Sequence, residues 1–154
     1  EDTELYGNLT ARQNVEFFAS LGDRRHLGAA PVDLALRRAG LPEHAFGARV
    51  RSFPRSMRQR LALALVLIKD APVAILDEPL GGLDPRTADD LSALLGELRR
   101  EGRALLVCTH DLFRASQLRD RVGLMAEGRL ALVRTAEQLR QEDLRQLYLD
   151  YMQT

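Results

Sequence analysis

Two short apolar stretches separated by one longer amphipathic stretch constrain this chain more than any other feature. Val73 to Leu76 is a compact apolar run, and Ala104 to Cys108 is another. Between them Pro85 suits a first helical turn, Leu91, Leu94, Leu95 and Leu98 recur at helical spacing, and Gly102 is a good stop. A strand, a crossover helix and a second strand specify a right-handed connection with the two strands parallel. Parallel strands are normally buried on both faces, so the expectation is an α/β domain with helices on either side of the sheet.

The rest of the chain arranges itself around that unit. Residues 1 to about 54 look helical and irregular, with no convincing strand. Thr10 opens a helix, Gln13 completes a capping-box pattern, and Val15, Phe18 and Leu21 form its apolar face before Gly22. A second helix is expected from Pro31 to Gly40, and residues 41–54 read as a loop with a short helical turn. From Ser56 onward Met57, Leu61, Leu65 and Ile68 share one face of a helix that Pro72 closes. Arg121 to Met125 and Arg129 to Arg134 flank Glu127-Gly128 as a hairpin, and short amphipathic helices are expected from Ala136 and Asp143.

Composition narrows the function classes. The chain has 154 residues, enough for one domain, with 22 basic and 22 acidic side chains. That balance argues against a basic nucleic-acid surface, so no nucleic-acid partner is expected. The longest strictly apolar run, Leu61 to Ile68, is eight residues, against roughly twenty for a membrane-spanning helix. No secretion-signal pattern is visible, and a start at Glu1 rather than methionine suggests a fragment. Cys108, the lone cysteine, is expected to be a buried, inert thiol among apolar neighbours.

Chemistry concentrates in VAILDEPLGGLDP, Val73 to Pro85. A strand ending in Asp77-Glu78 sets two carboxylates at the C-terminal edge of a parallel sheet, where open α/β sheets bind ligands. Consecutive strand residues point to opposite sides, so the two acids should have different jobs. In phosphate chemistry one can hold Mg²⁺ and the other can orient and deprotonate a water. A lone Asp-Glu pair more often just ends a strand and caps the next helix; here the turn Gly81-Gly82-Leu83-Asp84-Pro85 favours chemistry. His110 leaves the next strand 32 residues after Glu78, placed to reach the same ligand. His26 and His44 read as surface residues.

Taken together these segments resemble the ATPase domains of ABC transporters. LDEPLGGLDP looks like their Walker B motif and D-loop, VCTHD like the H-loop, SFPRSMRQRLALAL like the signature and its helix, and LYGNLTARQNV like the segment after the Q-loop. The order and spacing match over essentially the whole chain, and the second half is most similar to bacterial exporter ATPases. The resemblance implies a P-loop NTPase-type parallel sheet covered by helices, within a partial ATPase domain spanning 1–154. About 5–54 would be a helical subdomain and about 55–154 the C-terminal part of the ATPase core.

It also implies roles. Asp77 would act on Mg²⁺, Glu78 would be the general base, and His110 would contact the γ-phosphate of ATP. Asp84 would reach across a dimer interface, and Pro54, Arg55, Ser56 and Met57 would face ATP held by a second ATPase subunit. The implied function is ATP hydrolysis energising a transmembrane permease from the cytoplasmic face of the cell membrane. The alternative is a catalytically degenerate, nucleotide-responsive partner in an asymmetric dimer. A non-transport ABC ATPase acting on DNA or ribosomes ranks below both.

Three departures qualify the resemblance. No G-x-x-x-x-G-K-[ST] phosphate cradle occurs in these residues; in the family it lies N-terminal to the position of Glu1, so a truncated chain that is inactive alone is expected. Glu1 falls about where the Q-loop glutamine belongs. Pro54, Arg55 and Ser56 stand where a serine and two glycines are usual, although some exporter ATPases carry arginine at the Arg55 position. Glycines let backbone N–H groups approach a phosphate at a helix N-terminus, and Pro54 has neither N–H nor hydroxyl.

Overall fold

The computed structural model describes residues 4–22, 27–118 and 120–152; His26 lies outside them. The chain forms two compact units, Glu1–Cys108 and Thr109–Thr154. In the first, α1 (Ala11–Ser20) starts with the expected capping box: the Thr10 hydroxyl accepts from the Gln13 amide and the Gln13 side chain accepts from the Thr10 amide. Its buried face is Ala11, Asn14, Val15 and Ala19, whereas Leu21 caps the C-terminus and is exposed, contrary to the helical count.

Helix α2 (Ala29–Arg38) begins two residues before Pro31. The first-turn amides of a helix have no internal partner, so proline is tolerated at its third position as well as its first. The chain then leaves through Gly40 at φ +73, where a β-carbon would stand 2.1 Å from Arg60 Nη1. Two 3₁₀ turns, Glu43–Ala45 and Val50–Ser52, fill the expected loop, which is tied to the start of α1 by an isolated bridge between Thr10 and Arg49.

Helix α3 (Arg55–Lys69) is the spine of this unit, with α1 and α2 both packed on it. Leu61, Leu65 and Ile68 are buried as the periodicity requires, but so are Leu63, Ala64 and Leu67. Neighbours on several sides explain why the stretch Leu61 to Ile68 is apolar all round, while the first two turns carry arginines. Fully burying one such leucine contributes roughly 1.5–3 kcal/mol. Charged side chains hold the layer's rim: Arg12 grips Asp33 through two bonds of 2.7 and 3.0 Å while its guanidinium lies 5.4 Å from the Phe46 ring centre.

Strand β1 (Val73–Asp77), helix α4 (Pro85–Arg100) and strand β2 (Ala104–Cys108) form the expected crossover, with Val73 opposite Ala104 and Asp77 opposite Cys108 in a parallel pair. Leu91, Leu94, Leu95 and Leu98 are buried. One expectation fails. Only the face carrying Ala74 is covered; Val73, Ile75 and Leu106 on the opposite face are 57%, 73% and 57% exposed. Cys108 shares that bare face by alternation and is likewise exposed, not buried.

The second unit contains α5 (Leu112–Leu118), the antiparallel hairpin β3 (Arg121–Ala126) and β4 (Arg129–Thr135), and α6 (Leu144–Met152). Glu127 and Gly128 both have positive φ, 48° and 74°, as a two-residue type I′ turn requires. The first expected tail helix is only a 3₁₀ turn, Gln138–Arg140. Among the described residues no helix is long and apolar enough to cross a membrane.

Candidate functional site

Strand β1 delivers its acids to the sheet's carboxyl edge. Asp77 ends the strand, and the Glu78 amide donates to the Cys108 carbonyl at 2.9 Å, extending the pairing by one bond. Glu78 itself sits at φ +42, a left-handed conformation that costs a side-chain-bearing residue roughly 1–2 kcal/mol. The two carboxylates are therefore separated by a turn of the backbone, not by the pleat alone. Asp77 is exposed and Glu78 half-buried.

The turn that follows is tight. The Gly81 amide donates to the Glu78 carbonyl at 3.1 Å, and Pro79 and Leu80 are buried beneath it. A β-carbon on Gly81 would stand 3.5 Å from Glu78 Oε2, so the glutamate side chain folds back over its own turn. Asp84 then caps α4, accepting from the Thr87 amide at 3.0 Å. That bond, with the Thr87 side chain adding to it, holds the Asp84 carboxyl below the usual carboxylate range.

The signature segment starts at the head of α3. Pro54 occupies the N-cap without a side-chain cap, and its carbonyl accepts from the Met57 and Arg58 amides, both at 3.1 Å. Pro54 and Arg55 are exposed, Ser56 and Met57 half-buried. Arg55 lies against Gly82: a β-carbon there would meet its Cζ and Nε at 3.2 Å. So Asp77, Glu78, the Gly81-Gly82 turn, Asp84 and Arg55 are brought into one region of the first unit. The Gly82 contact was not readable from the sequence, although the paired glycines after Glu78 are the signal that backbone and side chains crowd there.

His110 belongs to the second unit, where it is exposed at the lead-in to α5. Its neighbour Asp111 caps that helix by accepting from the Arg114 amide at 3.0 Å. His44 is on the surface, as expected.

Among the described residues no group of three or more His, Cys, Asp or Glu side chains is arranged to hold a metal. An exposed carboxylate at a strand end nonetheless fits Mg²⁺, a hard cation that takes one or two carboxylates and completes its shell with phosphate and water. These residues can accept a proton and bind a hard cation; a backbone cradle for a triphosphate is not encoded among them.

No protein-family model matches the chain. A fluoroquinolones export ATP-binding protein of Mycobacterium tuberculosis is 35% identical over 136 residues, 88% of this chain and 44% of the relative. The ABC transporter ATP-binding protein NatA of Bacillus subtilis is 31% identical over 153 residues, 96% of this chain and 62% of NatA. A daunorubicin resistance ATP-binding protein of Streptomyces coeruleorubidus is 38% identical over 145 residues, 92% and 43% of the two chains. The chain thus spans about half the length of the curated relatives it matches. Among solved structures, a dimeric bacterial ABC transporter cassette aligns with a TM-score of 0.79 and 25% identity, covering 86% of this chain and 59% of that one. A cassette from Clostridium perfringens, part of an ABC transporter complex, aligns with a TM-score of 0.74 and 28% identity over 98% of this chain and 63% of its own.

Proposed function

The chain belongs to the ATP-binding family of ABC transporters, and from that membership we propose that it hydrolyses ATP to drive a membrane permease. The observation that carries the reading is the end of β1. Asp77 closes the strand, Glu78 turns out of it at positive φ, and both lie at the carboxyl edge of a parallel pair. Backbone strain held by surrounding structure is a mark of functional positions.

In this reading Glu78 is the general base that takes a proton from the attacking water. Asp77 holds Mg²⁺, which when bound neutralises charge on the phosphates. His110 contacts the terminal phosphate, an assignment made by motif alone. Pro54, Arg55, Ser56 and Met57 face a nucleotide held by a second subunit, and Asp84 lies in the loop that approaches it. The ATPase works as a head-to-tail dimer, supported by the dimeric cassette with the same fold. Residues 5 to about 54 dock onto the permease at the cytoplasmic face of the membrane, and about 55–154 carry the chemistry. Relatives named for drug export and drug resistance support an exporter.

The assembled transporter in lipid vesicles should release phosphate from ATP only when Mg²⁺ is supplied. Asp77→Asn should move that requirement to higher Mg²⁺ concentrations. Hydrolysis that is independent of Mg²⁺, or an Asp77→Asn enzyme with an unaltered Mg²⁺ titration, contradicts the assignment.

A further inference from the structure

The head of α3 meets the turn after β1 where Arg55 lies beside Gly82. Gly82 has φ +67, and a β-carbon on it would lie 3.2 Å from Arg55 Cζ, 3.2 Å from Nε and 3.4 Å from Nη1. Glycine is therefore favoured twice over, once by the backbone conformation and once because a β-carbon would press on the guanidinium beside it and make it give by a few tenths of an ångström. One residue earlier, a β-carbon on Gly81 would lie 3.5 Å from Glu78 Cβ and Oε2. Guanidinium, paired glycines and the Glu78 carboxylate thus pack in succession across one turn, and that turn runs on into Asp84, the cap of α4.

We propose that Arg55 is a positioning residue that seats the Gly81-Gly82 turn from the head of α3 and thereby fixes where the Glu78 carboxylate lies. The proposal rests on the reading of Glu78 as general base. It gives Arg55 a task within its own subunit, distinct from lending positive charge to a nucleotide on a partner. Chemistry separates the two tasks. A guanidinium is planar, broad and weakly hydrated, and can cover a peptide; an ammonium is a compact, strongly hydrated point charge that can meet a phosphate but makes a poor cover. A seat should therefore not survive replacement by lysine, whereas a phosphate contact should.

The test uses the assembled transporter with Arg55→Lys, Arg55→Ala, Gly82→Ala and the Arg55→Ala/Gly82→Ala double variant. Steady-state ATP hydrolysis is measured alongside amide hydrogen exchange over residues 79–84. Both Arg55 variants should lower kcat severalfold with KM for ATP changed less than about twofold, the pattern of a misplaced base and not of lost binding. Exchange at Gly81 and Gly82 should rise in both. Gly82→Ala should cost less when Arg55 is already alanine, because part of its penalty is the collision with the guanidinium. Rescue by lysine, a raised KM with kcat preserved in Arg55→Ala, or additive effects in the double variant would each overturn the seat. If Glu78→Gln hydrolyses ATP like the native protein while the Arg55 variants still raise exchange, the general-base reading fails and the seat stands.

Discussion

Asn14 makes a sharp test of how the first unit is held together. Among the described residues it is the one fully buried polar side chain. Its Oδ1 accepts from the Tyr6 amide at 2.8 Å, and its Nδ2 donates to the Tyr6 and Thr10 carbonyls at 3.1 and 2.9 Å. Asn14→Ala removes all three bonds, but with unequal consequences. The Tyr6 carbonyl keeps the Leu9 amide as a partner and the Thr10 carbonyl keeps the Asn14 amide, whereas the Tyr6 amide loses the acceptor that the side chain supplied. One orphaned donor costs about 1–3 kcal/mol and each of the two further lost bonds about 0.5–1.5, so a loss of about 2–6 kcal/mol is expected. Asn14→Asp restores the acceptor for Tyr6 but turns a second carboxylate oxygen toward two carbonyls and buries a charge. It should therefore be worse than alanine despite its closer shape. Urea unfolding followed by pulse proteolysis, which needs only dilute protein, measures both. An aspartate variant more stable than the alanine variant, or an alanine variant within about 0.5 kcal/mol of the native chain, the range of ordinary surface changes, would refute the bonding pattern.

Three other outcomes are expected. Calorimetry on the 154-residue chain alone should find no Mg-ATP site tighter than about 1 mM, an affinity of roughly 4 kcal/mol, because no phosphate cradle is encoded in it; micromolar binding would place the site elsewhere. The bare face of the β1–β2 pair should bind a hydrophobic dye, and Ile75→Thr with Leu106→Thr should reduce the signal while leaving helix content unchanged. Acid should weaken the cap of α4: the lowered Asp84 carboxyl contributes fully above about pH 4 and is lost as pH falls through its native pKa, so Asp84→Asn should flatten that part of the stability profile.

The elements with strong local signals were legible in the sequence. The capping box at Thr10 and Gln13, the proline start and leucine spacing of α4, both parallel strands and the Glu127-Gly128 hairpin turn all form where local chemistry specifies them. Features set by tertiary context were not. Leu21 fits the helical period but falls on the cap, after the last full turn. Helix α5 has only seven residues and declares itself mainly through the Asp111 cap. The exposure of Cys108 and Ile75 depends on what lies over one sheet face, which an apolar strand pattern does not reveal. At the site, the acids were legible as a motif, while the left-handed backbone of Glu78 and the Arg55–Gly82 contact arise from packing across the turn.

The central claim is that Glu78 is the base of an ATPase, and one substitution addresses it most directly. Glu78→Gln keeps the side chain's size and most of its hydrogen bonding while removing its capacity to take a proton. In the assembled transporter, ATP binding measured by equilibrium dialysis should persist and single-turnover hydrolysis should fall by about a hundredfold to ten-thousandfold. A Glu78→Gln transporter that hydrolyses bound ATP at the native rate would contradict the account.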